Sequence, residues 1–208
     1  MPTQPPCSAI VLAGGRATRM GGVDKALLPL AGQPLLAHVL ARLAPQVDDI
    51  VINYNRDAVA LAGFGRQVVG DTREDFAGPL AGIAAALPLC RHATALVVPC
   101  DAPFLPRDLR ARLAPALHPG IDLVIAHDGE RLQPLFLLLR SKLADALNDY
   151  LAGGGRKVEI WCLAQRAAIV RFDDKKAFAN VNTPEALQAA GNSEEDGAGP
   201  LSDAESRE

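Results

Sequence analysis

The segment Ala9-Ile10-Val11-Leu12-Ala13-Gly14-Gly15-Arg16-Ala17-Thr18-Arg19-Met20-Gly21-Gly22-Val23-Asp24-Lys25 decides the fold. Its apolar start reads as a buried first strand, and four glycines and a lysine follow in quick succession. Glycine admits backbone conformations closed to other residues and lets main-chain N–H groups come close to a ligand. Such a turn at the carboxyl end of a strand cradles phosphate oxygens, and Arg16, Arg19 and Lys25 add cations beside it. Spacing excludes two other glycine loops. No lysine follows Gly21 or Gly22 directly, as a P-loop requires. Neither Gly14 nor Gly15 begins the G-x-G-x-x-G of a dinucleotide site. The competing reading is a surface loop whose arginines only solubilise it. Glycine and charge packed directly behind a buried strand favour a nucleoside triphosphate site.

Outward from this segment, apolar β-branched runs alternate with amphipathic stretches. Strands are expected at Ser8–Ala13, Asp49–Tyr54, Gln67–Gly70, Thr94–Pro99, Leu123–His127, Pro134–Leu139 and Ala168–Arg171. Helices are expected at Pro34–Leu43, Pro79–Leu87, Pro106–Leu117, Lys142–Leu151 and Pro184–Ala190. Several begin with proline at the first helical position, where its missing N–H is no loss. The alternation predicts a three-layer α/β fold with a mainly parallel central sheet. Ligands of open α/β sheets bind beyond the carboxyl ends of the strands. The polar residues after the first four expected strands are therefore the candidates: Gly14–Lys25, Asn53, Asp71 and Asp101.

Asp101 ends an almost wholly apolar strand, and an unpaired buried charge there is costly. A divalent cation is one solution, since Mg²⁺ takes one or two protein carboxylates plus phosphates and waters; a helix N-cap is the other. Asp71 either starts a turn or touches the nucleotide or its metal. Asn53 offers a two-sided amide to a base, ribose or phosphate. Gly78-Pro79-Leu80-Ala81-Gly82 opens a helix with small residues, for close approach of a base or ribose or for tight helix packing. In Asn180-Val181-Asn182-Thr183-Pro184, Asn182 or Thr183 suits an N-cap, while Asn180 and Asn182 also suit a metal ligand or its supporting shell. Gly153-Gly154-Gly155-Arg156-Lys157 reads as a flexible loop for an anionic second substrate or as a solvated turn. His38, His92, His118 and His127 lack metal spacing, and no serine stands in G-x-S-x-G.

Composition fits a protein built for a small anionic ligand. With 208 residues and 49% hydrophobic content, the chain can bury one core. Six acids and one arginine in residues 192–208 account for the net charge of −3, leaving a nearly neutral body unsuited to nonspecific nucleic-acid binding. The expected organisation is an N-terminal extension (1–7), a single domain (8–191) and a disordered acidic tail (192–208). No apolar run reaches membrane-spanning length. Met1–Pro6 has neither the basic nor the apolar part of a signal peptide, which predicts a cytoplasmic protein. Cys7, Cys90, Cys100 and Cys162 are scattered and expected to be free thiols.

Taken together, Leu12-Ala13-Gly14-Gly15…Arg19-Met20-Gly21-Gly22-Val23-Asp24-Lys25, Gly78-Pro79-Leu80-Ala81-Gly82, Pro99-Cys100-Asp101-Ala102-Pro103 and Asn180-Val181-Asn182-Thr183-Pro184 resemble the molybdenum cofactor guanylyltransferases. The motifs occur in the family's order and span the expected domain. The resemblance implies a Rossmann-like nucleotidyltransferase fold and transfer of GMP from GTP to the terminal phosphate of molybdopterin, releasing pyrophosphate. It also implies that Leu12, Ala13 and Gly14 contact the nucleotide, with Gly15 and Arg19 near its phosphates. Lys25 would neutralise phosphate charge, and Asn53 and Asp71 would bind GTP. Asp101 would hold Mg²⁺, or Mn²⁺ in its place. Gly78–Gly82 would lie near the guanosine, and Arg156 and Lys157 would face the pterin phosphate. Transient contacts with cofactor-biosynthesis or molybdoenzyme-maturation proteins follow from the same resemblance, with no nucleic-acid or membrane partner. The alternatives are a CTP-dependent cytidylyltransferase, whose first motif tends toward Leu-Ala-Ala-Gly, a sugar-1-phosphate nucleotidyltransferase, and a non-catalytic GTP sensor.

Overall fold

A computed structural model describes residues 4–14, 24–72 and 78–181. Gly15, Arg16, Arg19, Gly21, Gly22, Asn182, the expected helix Pro184–Ala190 and the acidic tail lie outside the described residues.

Seven strands form one sheet: β1 (Ser8–Leu12), β4 (Asp49–Asn53), β5 (Gln67–Val69), β6 (Thr94–Pro99), β7 (Leu123–His127), β8 (Leu132–Arg140) and β9 (Ala167–Arg171). Two short strands, β2 (Pro29–Leu30) and β3 (Gln33–Pro34), make a separate hairpin. The sheet order is β5-β4-β1-β6-β8-β7-β9. All neighbours pair in parallel except β8, which is antiparallel to both β6 and β7.

The inner strands alternate between two cores because successive side chains point to opposite faces. Ala9, Val11, Ile50, Ile52, Leu96 and Val98 pack on α1 (Leu35–Leu43) and α3 (Leu109–Leu113). Ile10, Val51, Ala95 and Val97 pack on α2 (Pro79–Ala86), α4 (Ala144–Ala152) and α5 (Val158–Leu163). The three layers and the mainly parallel sheet are those expected from the alternating pattern. Helix α2 buries Leu80, Ala81, Gly82, Ile83, Ala85 and Ala86. An apolar helix of this kind is stable when covered on more than one side, and α2 contacts β1, β4 and α4. Leu80 and Ile83 each contribute roughly 1.5–3 kcal/mol by leaving water.

Three expectations change. The helix expected at Pro106–Leu117 is the short α3 followed by a 3-10 turn at Ala114–Ala116, with Asp108 rather than Asp101 at its N-cap position. The loop at Gly153–Lys157 leads into α5, whose six residues were too short for a periodic signal. The strand expected at Pro134–Leu139 runs from Leu132 to Arg140 and is antiparallel. It follows a tight turn in which Asp128 Oδ1 accepts from the backbone N–H groups of Glu130 (2.8 Å) and Arg131 (2.9 Å). Gly129 takes a φ of 108°, which an L side chain resists.

Two features of the sheet make the site. Strand order reverses at β1, which has β4 on one side and β6 on the other, and such switch points open a crevice at the carboxyl edge. The β7–β8 pairing also jumps from Ile125↔Leu137 to Ala126↔Gln133, so Pro134, Leu135 and Phe136 bulge out. The β6–β8 pairing ends at Val97↔Leu137, leaving the carboxyl end of β6 unpaired on that side. Proline is tolerated at such a bulge because no ladder N–H is needed there.

Candidate active site

A pocket of about 360 Å³ lies at this edge. Leu12, Ala13, Gly14 and Asn53 reach it from the ends of β1 and β4, and Asp71 from beyond β5. Gly78 and Pro79 open α2 at its wall, and Pro99, Cys100 and Asp101 come from β6. Of the other candidates from the sequence, Lys25 and Asn180 also line the pocket.

Backbone hydrogen bonds carry the sheet into the site. Ala13 N–H donates to the Asn53 carbonyl (2.8 Å), and Cys100 N–H to the Leu12 carbonyl (3.0 Å). Val181 N–H donates to the Asp101 carbonyl at 2.8 Å, which ties the Asn180 segment beside the aspartate. Lys25 Nζ lies 3.4 Å from Asp101 Oδ2, with side-chain exposures of 27% and 16%. Burial pushes the Asp101 carboxyl above its ordinary range, and the Lys25 charge only partly opposes this. Lys25 opens a 3-10 turn, Lys25–Leu27, capped by Asp24, whose Oδ1 accepts from Ala26 N–H (3.1 Å). The other Asp24 oxygen accepts from the Tyr54 hydroxyl. Burial and then that carboxylate raise the phenol to about 12, so it stays a donor.

On the other side of β1, Asn53 Nδ2 donates to Asp71 Oδ1 at 2.8 Å. The Asn53 side chain is wedged between two glycines: a Cβ on Gly14 would stand 2.7 Å from its Oδ1, and one on Gly82 would stand 2.3 Å from it. At Gly82 the tight-packing role is therefore the one the described residues show. Gly78 has a φ of 73° at the N-cap of α2, a conformation that favours glycine.

Arg156 and Lys157 are not in the pocket wall. Arg156 Nη1 turns back to the carbonyls of Leu151 (2.9 Å) and Gly155 (2.7 Å), at the end of α4. The loop is shaped by packing, since a Cβ on Gly155 would meet the Tyr150 ring at 2.4 Å. Lys157 is exposed. Sequence reading missed Asn55, Arg56 and Leu135 in the wall, and gave no role to Asp24. A signal for Asn55 was present, because Asn53 and Asn55 keep the period-2 spacing of one strand face. Leu135 reaches the pocket through the bulge, which no local pattern announces.

A divalent cation at this edge needs hard oxygen donors. Among the described residues no group of three or more His, Cys, Asp or Glu side chains could hold one. Asp101 and Asn180 instead offer hard oxygen donors in one wall. This set fits Mg²⁺, which leaves most of its coordination to substrate phosphates and water. The thiols are free, and burial raises Cys90 and Cys162 to about 12, which keeps them protonated.

Comparison with known proteins adds to this geometry. Residues 9–167 match the model of the MobA-like NTP transferase domain. A molybdenum cofactor guanylyltransferase of Cupriavidus necator is 49% identical over 187 residues, 87% of this chain and 94% of the relative. One from Shewanella amazonensis is 46% identical over 182 residues, 86% of this chain and 93% of its own length. In fold, the chain is similar to the molybdopterin-guanine dinucleotide biosynthesis protein A of Archaeoglobus fulgidus, with a TM-score of 0.76 and 24% identity. That match covers 91% of this chain and 99% of the other. A 2-C-methyl-D-erythritol 4-phosphate cytidylyltransferase of Thermus thermophilus shares the fold at a TM-score of 0.68 and 18% identity, covering 89% and 98% of the two chains.

Proposed function

The chain belongs to the MobA-like NTP transferase family, and from that premise we propose that it transfers GMP from GTP to the terminal phosphate of molybdopterin. The products are the guanine dinucleotide form of the cofactor and pyrophosphate. The observation that carries this reading is the meeting of Lys25 and Asp101 at 3.4 Å in a pocket that also holds Leu12–Gly14, Asn53 and Asp71. A bare nucleotide sensor has no need of a half-buried carboxylate beside a lysine.

An acceptor phosphate oxygen attacks the α-phosphorus, the bond to the β-phosphate oxygen breaks, and pyrophosphate leaves with the electron pair. The acceptor is already anionic at neutral pH, so no strong general base is required. The residues instead align two polyanions and spread transition-state charge. Leu12, Ala13 and Gly14 present backbone to the nucleotide, while Asn53, Asp71 and Gly78 seat its nucleoside half. Lys25 offsets charge moving onto pyrophosphate, with Arg19 assigned the same task and Gly15 a place near the phosphates from the sequence. Asp101, with Asn180 beside it and Asn182 as a supporting group, would hold Mg²⁺ or Mn²⁺. When bound there, such an ion supplies Lewis-acid polarisation of the phosphoryl oxygens. Lys157 and the Arg156 loop, outside the pocket wall, are assigned to the acceptor phosphate from the sequence resemblance alone. Residues 8–191 act as one catalytic unit in the cytoplasm and meet cofactor-handling proteins transiently. No helix among the described residues is long and apolar enough to cross a membrane.

Pyrophosphate release, measured with GTP, CTP and ATP with and without molybdopterin, tests this. Release is expected with GTP and acceptor together. Preference for CTP overturns the base assignment, and GTP binding without release under any condition leaves only a sensor.

A further inference from the structure

Asn55 stands two residues beyond β4, in the pocket wall, and joins two loops through one amide. Its Nδ2 donates to Asp71 Oδ2 at 2.8 Å and to the Gly14 carbonyl at 3.0 Å. Its Oδ1 accepts from the Asp71 backbone N–H at 2.7 Å. Asn53 Nδ2 holds the other carboxylate oxygen of Asp71 at 2.8 Å. Each oxygen is therefore pinned by a different neutral donor, and the loop that carries Asp71 is pinned through its backbone. A carboxylate has about four lone-pair sites, so both oxygens keep accepting capacity, now fixed in direction. Gly14 makes the arrangement possible, because a Cβ there would lie 2.6 Å from Asn55 Nδ2.

We propose that Asn55 is a positioning residue for base selection, orienting the Asp71 carboxylate toward a base edge with two adjacent N–H donors. Guanine has that edge, with N1–H next to its 2-amino group; in adenine and cytosine the corresponding ring nitrogen is an acceptor. The inference rests on the GTP reading above and assigns its selectivity to a residue that acts through Asp71. Aspartate at position 55 would turn the donor into an acceptor facing both Asp71 and the Gly14 carbonyl. Asn55 is exposed, so its replacement leaves the core intact.

The test is calorimetric binding of GTP, inosine triphosphate and CTP, with Mg²⁺, to the full chain and to Asn55→Ala and Asn55→Asp. Melting temperatures are measured alongside. Inosine triphosphate keeps N1–H and lacks the 2-amino group. The unaltered protein is expected to prefer GTP to inosine triphosphate, and Asn55→Ala to weaken GTP binding by about tenfold, the scale of a charge-assisted hydrogen bond. Inosine triphosphate should be affected much less, so the preference collapses, and Asn55→Asp should go further while still unfolding in one cooperative transition. Equal loss for both purines, or an unchanged ratio, overturns the role of Asn55 while leaving the GTP reading standing. An unaltered protein with no preference for GTP over CTP overturns both.

Discussion

Two carboxylates face one pocket from either side of β1, and they are held in opposite ways. Asp71 accepts from the neutral amides of Asn53 and Asn55, one on each oxygen. Asp101 sits at the end of β6 with its side chain only 16% exposed and the Lys25 ammonium 3.4 Å away. Neutral donors fix direction without cancelling charge, which suits reading a base. Burial with one partly compensating cation among the described residues leaves a site that gains from further positive charge, which suits phosphates brought in with a metal. On the function proposed above, this difference in partners would separate recognition from chemistry within one crevice.

The largest expected effect comes from removing the charge at Asp101. Asp101→Asn should lower the turnover number by roughly 10³-fold, the scale seen when a key transition-state electrostatic group is lost. Its melting temperature should be unchanged or higher, because burial disfavours the Asp101 charge more than Lys25 supports it. Near-normal turnover with Mg²⁺ present would remove Asp101 from the chemistry. Lys25→Ala should cost roughly 10²-fold in rate. It should also cost about 1–2 kcal/mol of stability, as Asp101 stays behind in a half-buried setting. Combining it with Asp101→Asn should restore the denaturation midpoint without restoring turnover; a midpoint that stays low would mean the two residues are not coupled.

On the Asp71 side the expected effects are smaller and fall on binding. Gly82→Ala drives a methyl to 2.3 Å from Asn53 Oδ1 and should destabilise by about 1–3 kcal/mol. Its KM for GTP should rise more than its turnover number falls, as displaced Asn53 lets Asp71 go. Asn53→Ala in the same chain should recover stability but not KM, and recovery of both would show that Asn53 does not serve the nucleotide.

A third carboxylate sets the baseline for this comparison. Asp128, in the β7–β8 turn, lines no part of the pocket and is 3% exposed. Burial alone would raise its pKa, but the Arg131 and Glu130 amides and Gln133 outweigh this and hold it at about 2. Its folded pKa is depressed, so the stability it adds is present above the ordinary carboxylate range and is lost as pH falls toward about 2. Asp128→Asn should cost about 1–2 kcal/mol near neutrality and flatten the acid limb of a stability–pH curve between roughly pH 4 and 2. An unchanged acid limb would show that the turn does not depend on the charge. Turnover should stay unchanged.

Much of this arrangement was legible because strand periodicity and strand ends are local. Thr94–Pro99 and Leu123–His127 are strands with the expected limits, and Gly14, Asn53, Asp71 and Asp101 meet at one edge as their positions after strands implied. The direction of β8 was not legible: Pro134–Leu139 reads as a strand whichever way it pairs, and pairing is a contact between distant segments. Nor was the posture of Arg156, whose guanidinium looks the same in sequence whether it meets an anion or caps its own helix.

The chain by itself determined the alternating layers and the residue types at the strand ends, Gly14 among them, since these follow from side-chain period and backbone freedom. Only the tertiary structure decided that β8 runs backward and bulges at Pro134–Phe136, which opens the edge beside Asp101. It also decided that Asn55 and Asn53 close on Asp71 from one strand end, through space left by Gly14 and Gly82. Those outcomes depend on which distant surfaces fit together, and burial and hydrogen-bond satisfaction across the whole fold select them.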